Sequence, residues 1–194
     1  MNKLGREDLL SLEEYAEQRV ALRHAVMQHK KTRQLALGDN IRLLFEDRIT
    51  IQYQIQEMLR IERIFARAAI EEELGSYTPL IPDGHNLKAT MMIEYDDPIE
   101  RKRRLGELIG VEKTVFLQVE GYPPVFAIAN EDMERETAEK TSSVHFLRFE
   151  FSADMINAWR HGSTVSAGIE HQAYRLAPFT IDPGISDALQ ADFT

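Results

Sequence analysis

The stretch DRITIQYQIQEMLRIERIFARAAIEEELG, residues 47–75, decides the fold. Ile49, Ile51, Tyr53 and Ile55 alternate with Thr50, Gln52, Gln54 and Gln56, the period of a half-buried strand. The chain then runs without a breaker into Met58, Ile61, Phe65 and Ala68/Ala69, which recur at helical spacing. Asp47 offers an N-cap and Gly75 a C-terminal stop. Together these signals predict one long helix over residues 48–74, whose apolar stripe needs a partner.

On the N-terminal side, Ser11 and Glu14 make the spacing of a capping box. A first helix is expected from there to about Lys31, with Leu12, Tyr15, Leu22 and Val26 on its apolar side and His24 and His29 exposed or half-exposed. RQLALGDNIRLLFED, residues 33–47, places two short apolar runs around Gly-Asp-Asn and reads as a hairpin. After a loop at YTPLIPDGHN the pattern changes. Strands are expected at LKATMMIEY, KTVFLQVEG, PPVFAIAN, SSVHFLRFEFS and STVSAGIEHQAYR. Short helices are expected after Asp97, Ser152 and Asp182, and a charged, partly helical connector at EDMERETAEKTS. The resulting fold class is α+β: N-terminal helices, including one long helix packed on a mostly antiparallel sheet formed chiefly by the C-terminal half. One domain spans 1–194, with 1–75 a mainly helical lobe bearing a short hairpin and 76–194 an α+β sheet portion.

Composition narrows the function. Aspartate and glutamate number 32 against 23 lysine and arginine, a net charge of −9, which opposes binding to nucleic acid or to an anionic membrane surface. No apolar run approaches the roughly 18 residues of a membrane span. The N-terminal residues are too acidic and polar for a signal peptide, so a cytoplasmic location is expected. The absence of cysteine excludes disulfides, thiolate zinc sites, cysteine nucleophiles and thiolate-held iron–sulfur clusters on this chain. Gly-rich phosphate loops, a G-x-S-x-G elbow and H-E-x-x-H are absent too.

Two groups of residues are chemically suggestive. His85, His145 and His171 each stand in strand phase with apolar neighbours. Three imidazoles turned to one covered face suit a divalent metal, the single cofactor this sequence suggests; as separate strand-end histidines they would bond backbone carbonyls instead. In QEMLRIER, Glu57 lies three residues from Arg60 and shares a helix face with Ile61 and Ile64. An inward Glu57 needs a partner, and Arg148 and Glu150 on the strand 144–151 are candidates for that role or for each other. Glu57, Arg60, Arg148 and Glu150 are thus the candidate catalytic or clamp residues; as a buried ion network they would be structural. Tyr53 and His145 are the candidate ligand-binding side chains. The run ERKRR, residues 100–104, reads as a solvated helix face.

The segments ALGDNIRLLFEDRITIQYQIQEMLRIERI, YTPLIPDGHNLKATMMIEY and EKTSSVHFLRFEFS together resemble the bacterial domain-of-unknown-function 3501 family, over nearly the whole chain. The resemblance implies a stand-alone bacterial cytoplasmic protein and carries over no catalytic residues. Such families neighbour rubrerythrin-like and iron–sulfur oxidoreductase proteins, which implies a role in redox or peroxide defence with any cluster on the partner. Two readings stay open. One is an accessory protein that docks on an iron–sulfur or di-iron redox partner, with a homodimer among the assemblies allowed. The other is a small metal- or ligand-dependent enzyme with a pocket between the long helix and the sheet.

Overall fold

Alternation in sequence becomes alternation in burial. In the strand Asn86–Ile93, residues 87, 89, 91 and 93 are buried while 88, 90 and 92 are half-buried on the other face. The computed structural model describes residues 4–129, 131, 135, 137 and 139–194. Its elements in chain order are α1 (Leu12–His29), β1 (Gln34–Ala36), β2 (Ile41–Glu46), α2 (Arg48–Glu62), α3 (Arg67–Tyr77), β3 (Asn86–Ile93), α4 (Pro98–Glu107), β4 (Val115–Val119), β5 (Val125–Phe126), β6 (Ile128–Ala129), β7 (Val144–Glu150), α5 (Ala153–Arg160), β8 (Val165–His171), β9 (Tyr174–Thr180) and α6 (Pro183–Gln190). Two antiparallel sheets result, one ordered β1-β2-β3-β7-β6 and the other β5-β4-β8-β9. The α+β class with helices gathered N-terminally is as the sequence indicates.

The inward side chains of both sheets form one core. Phe45, Met91, Leu147 and Phe149 come from the first sheet, and Leu117, Val165, Ala167 and Ile169 from the second. Trp159 of α5 closes it, meeting Phe151 and Phe193 edge-on at 5.6 and 5.4 Å and donating its Nε1–H to Ser186 Oγ at 2.8 Å. The hairpin from β4 does not stay in one sheet. β5 pairs with β4, then β6 crosses to pair with β7, so one short segment joins both sheets. STVSAGIEHQAYR likewise divides into β8 and β9 around Gln172 and Ala173. Of the expected helical connector, residues 132–134, 136 and 138 lie outside the described residues.

The caps fall where the sequence puts them. Ser11 Oγ accepts from Glu14 N while Glu14 accepts from Ser11 N, starting α1, the long helix, which a 3₁₀ turn over Lys30–Arg33 extends. Asp97, Ser152 and Asp182 cap α4, α5 and α6.

Residues 48–74 depart from the single rod expected of them. α2 stops at Glu62, Arg63 takes the left-handed conformation (φ 55°, ψ 47°), and α3 starts at Arg67. The N–H groups of Arg63 and Ile64 both close onto the Leu59 carbonyl. In an unbroken helix Ile64 would stand about 140° from Leu59 around the axis. The elbow brings it back to the same apolar cluster, where Ile51, Ile55 and Leu59 of α2 meet Leu4 and Leu74, with Leu9, Leu12, Ile64 and Ile70 packed around them. The stripe on α2 is therefore covered by helix α3 and the N-terminal segment rather than by the inward side chains of the strands. Its attachment to the sheet is polar. Buried Glu46, at the end of β2, accepts from Thr50 Oγ1 and from Thr90 Oγ1, each at 2.6 Å.

Candidate functional site

Glu57, the residue on which the sequence reading turned, faces α1 and not the sheet. Oε1 accepts from Tyr15 Oη and Arg19 Nε, each at 2.7 Å, and Oε2 accepts from Arg19 Nη2 at 2.9 Å. Arg60 Nε and Nη2 reach the same two oxygens at 3.2 Å. The side chain is 16% exposed. The Arg19 guanidinium, helped by Arg60 and Tyr15, holds the Glu57 carboxyl well below the usual carboxylate range despite the opposing cost of burial. Burial first, then the Glu57 charge, pushes the Tyr15 phenol up. Tyr53 lies near enough for Tyr15 and Arg19 to feel it electrostatically. A carboxylate with every lone pair so engaged is a clasp between α1 and α2.

Arg148 and Glu150 pair with each other on the outward face of β7, the alternative the sequence left open, and not with Glu57. Arg148 also grips Glu131 through Nε and Nη2 at 2.9 and 2.8 Å, and Asn86 donates to Glu150 at 3.3 Å.

His145 and His171 are buried in strand phase as expected, His85 lies outside its strand and is exposed, and the three do not meet. His85 immediately precedes β3, while His145 is opposite Met91 in the paired strand β7. Six strand positions separate the two sites, on the order of 20 Å. His171 ends β8 in the other sheet. His145 is buried, with Nε2 3.0 Å from the Ser142 carbonyl and 2.9 Å from Thr141 Oγ1. His171 donates from Nε2 to the Ile109 carbonyl at 3.1 Å and accepts from Ala173 N at Nδ1. His85 is exposed. Among the described residues no group of three or more His, Cys, Asp or Glu side chains is placed to hold a metal ion. Phase tells which face a side chain takes, but not which sheet or which end.

Two clefts open elsewhere, at opposite ends of α2. The first, about 640 Å³, lies at the elbow between the N-terminal segment and the α2–α3 junction. Gln56 fastens the segment by bonding both the N–H and the carbonyl of Leu10, at 2.8 and 3.1 Å, and Gln52 donates to the Asp8 carbonyl at 2.6 Å. Leu9, Leu12, Leu59, Ile64 and Ile70 line the cleft and Phe65 stands at its edge. Phe65 is 72% exposed and neighbouring Ile61 60% exposed. Arg6, Glu7, Arg67 and Glu71 complete the lining.

The second cleft, about 550 Å³, lies where α1 ends and α2 begins. Arg33, 2% exposed, donates to the carbonyls of Phe45, Glu46 and Ala188 at 3.1, 3.2 and 3.3 Å and forms a short ion pair with Asp192. Burial pushes the Asp192 carboxyl up while Arg33 restrains it. Asp47 uses Oδ1 to cap α2 at Thr50 N and Oδ2 to meet His29 Nε2 at 2.5 Å, with Arg33 Nε 3.4 Å away. Sequence reasoning found Asp47 as a cap and His29 as a half-exposed side chain, but nothing in the pattern joined them to Arg33 and Asp192. Reading QYQIQ as helix also gave no sign that two of its glutamines pin the N-terminal segment.

Known proteins extend this picture without adding an activity. A crystal structure of a protein of unknown function from Burkholderia pseudomallei K96243 is 48% identical, covers 100% of both chains and superposes with a TM-score of 0.95. No curated protein sequence matches. No helix among the described residues is long and apolar enough to cross a membrane. The family model described as protein of unknown function, DUF3501, matches residues 3–193, and the chain belongs to that family.

Proposed function

We propose that this is a non-catalytic accessory protein of an iron–sulfur or rubrerythrin-like redox or peroxide-defence system, and that it docks its partner at the elbow cleft. The observation that carries the reading is the pair of large apolar side chains, Phe65 and Ile61, left in water beside an apolar cleft. Such exposure is costly unless a partner covers it. The lining charges support a protein occupant. The side chains of Arg6, Arg67, Glu7 and Glu71 make no hydrogen bond or ion pair among the described residues. A partner surface with an apolar centre and charges of both signs around it would satisfy all four. The redox identity of the partner rests on the family resemblance, and the cysteine-free chain leaves any iron–sulfur cluster to that partner.

Burying one phenylalanine contributes about 1.5–3 kcal/mol, roughly tenfold to a hundredfold in affinity. Calorimetric titration of the purified chain with a rubrerythrin-like or an iron–sulfur protein from the same organism tests the reading. Binding that Phe65→Asp weakens at least about tenfold, while Val20→Asp on α1 leaves it unchanged, is expected. No binding up to about 100 µM, or binding indifferent to Phe65→Asp, overturns it. So does a concentration-dependent dimer of the chain alone that Phe65→Asp abolishes, because a second copy would then be the occupant.

A further inference from the structure

We infer that the cleft at the junction of α1 and α2 binds a small, largely apolar molecule carrying one acidic O–H group, which it holds at Nδ1 of His29. The volume, about 550 Å³, is within the usual range of small-molecule sites. Its apolar wall is built from Ile49, Ile81, Pro82, Ala188 and Ala191. His29 lines the same cleft with its side chain 31% exposed.

The chemistry follows from what fixes the imidazole. Asp47 is itself fixed, since one oxygen caps α2 and the other is near the buried Arg33. A carboxylate only accepts hydrogen bonds, so Nε2, the atom 2.5 Å from Asp47 Oδ2, carries a proton in either form of the ring, and in the neutral tautomer the lone pair is on Nδ1. Nδ1 has no hydrogen-bond partner among the described residues. An oriented acceptor next to an apolar wall selects a ligand with a single donor at one end and hydrocarbon at the other. Within the bound pair the proton is shared between ligand oxygen and Nδ1. If it transfers, the ligand becomes an anion and His29 an imidazolium, held between that anion and Asp47. No other reactant is needed.

This site is independent of the elbow and of any protein partner. The probe is 4-nitrophenol, whose absorbance distinguishes phenol from phenolate. Titration into ¹⁵N-labelled protein should move the ring-nitrogen resonances of His29 saturably and perturb the nitrophenol absorption. His29→Gln, and Ala191→Phe to fill the cleft, should each weaken binding at least about fivefold. Nitrobenzene, which lacks the O–H, should bind at least as weakly as the probe binds to His29→Gln. The inference fails if His29 does not respond to 4-nitrophenol at about 5 mM, if nitrobenzene binds equally well, or if neither folded variant loses affinity.

Discussion

The sheets and the helices around α2 are held by different forces. Between the sheets, the core is continuous and apolar, from Leu43 and Phe149 on one side to Leu117 and Ile169 on the other, with Trp159 at its end. Around α2 the apolar cluster has, among the described residues, five buried members: Leu4, Ile51, Ile55, Leu59 and Leu74. Beyond the half-buried apolar side chains packed on it, the contacts that fasten this region are ionic and polar: Glu57 with two arginines, Gln52 and Gln56 on the N-terminal backbone, Arg48 with Asp8 at 2.7 Å. A packed interior stabilises in proportion to area and forgives hydrophobic swaps of similar size, whereas a polar clasp depends on each partner. The region held by clasps is also the one that carries both clefts.

The largest test of this contrast is Trp159→Ala. Removing a fully buried indole that touches Phe151 and Phe193 leaves a cavity and should cost about 4 kcal/mol of global stability, measured by urea unfolding. A loss below about 1 kcal/mol would mean that the sheet core is less closely packed than its burial indicates. Next comes Arg33→Met. It fills similar space but leaves Asp192 buried with no cation and three carbonyls without their donor, and should cost about 3 kcal/mol. The double variant Arg33→Met/Asp192→Leu should recover much of that loss. Failure to recover would show that the carbonyl contacts, not the ion pair, carry the energy.

These two sites also mark what the sequence could and could not convey. The inward faces of β3, β7 and β8 were legible, because period two assigns each side chain to a face without knowledge of the partner strand. The caps at Ser11, Asp97, Ser152 and Asp182 were legible for the same reason: each bonds within its own few residues. Partner choice was not. Glu57 has Arg60 three positions away, and the sequence shows that, but the stronger bonds come from Arg19 and Tyr15 in another helix. Arg33 and Asp192 are 159 positions apart, and no periodicity connects them. The assumption that residues 48–74 form one rod failed because neither Gly nor Pro marks Arg63 as a break.

Glu57→Gln should cost about 2 kcal/mol, since it removes the charge that Arg19, Arg60 and Tyr15 all address. Its pH dependence has a definite sign. The Glu57 carboxyl is held low in the folded state, so its contribution is complete above the unfolded value near 4.3 and is lost as pH falls through the lower folded one. The stability gap between wild type and Glu57→Gln should thus be constant above about pH 5 and shrink below about pH 4. A gap that instead widens on acidification would exclude the clasp as its source.

The smallest effect is expected at the elbow and bears most directly on the contrast. Arg63 is, among the described residues, the non-glycine residue with positive φ. That conformation costs an L-residue about 1 kcal/mol, and glycine adopts it freely. Arg63→Gly relieves this cost but gains freedom in the unfolded chain, so the net change should be a stabilisation below about 1 kcal/mol. Arg63→Val should do the reverse, by about 1 kcal/mol or more, because a β-branched side chain resists positive φ. Both changes should leave the sheet core untouched, which hydrogen exchange can check by comparing amides of β3 and β7 with those of α3. If Arg63→Gly accelerated exchange throughout the sheets as well, the clasped helices and the apolar core would be one cooperative unit, and the difference drawn between them would concern their chemistry and not their stability.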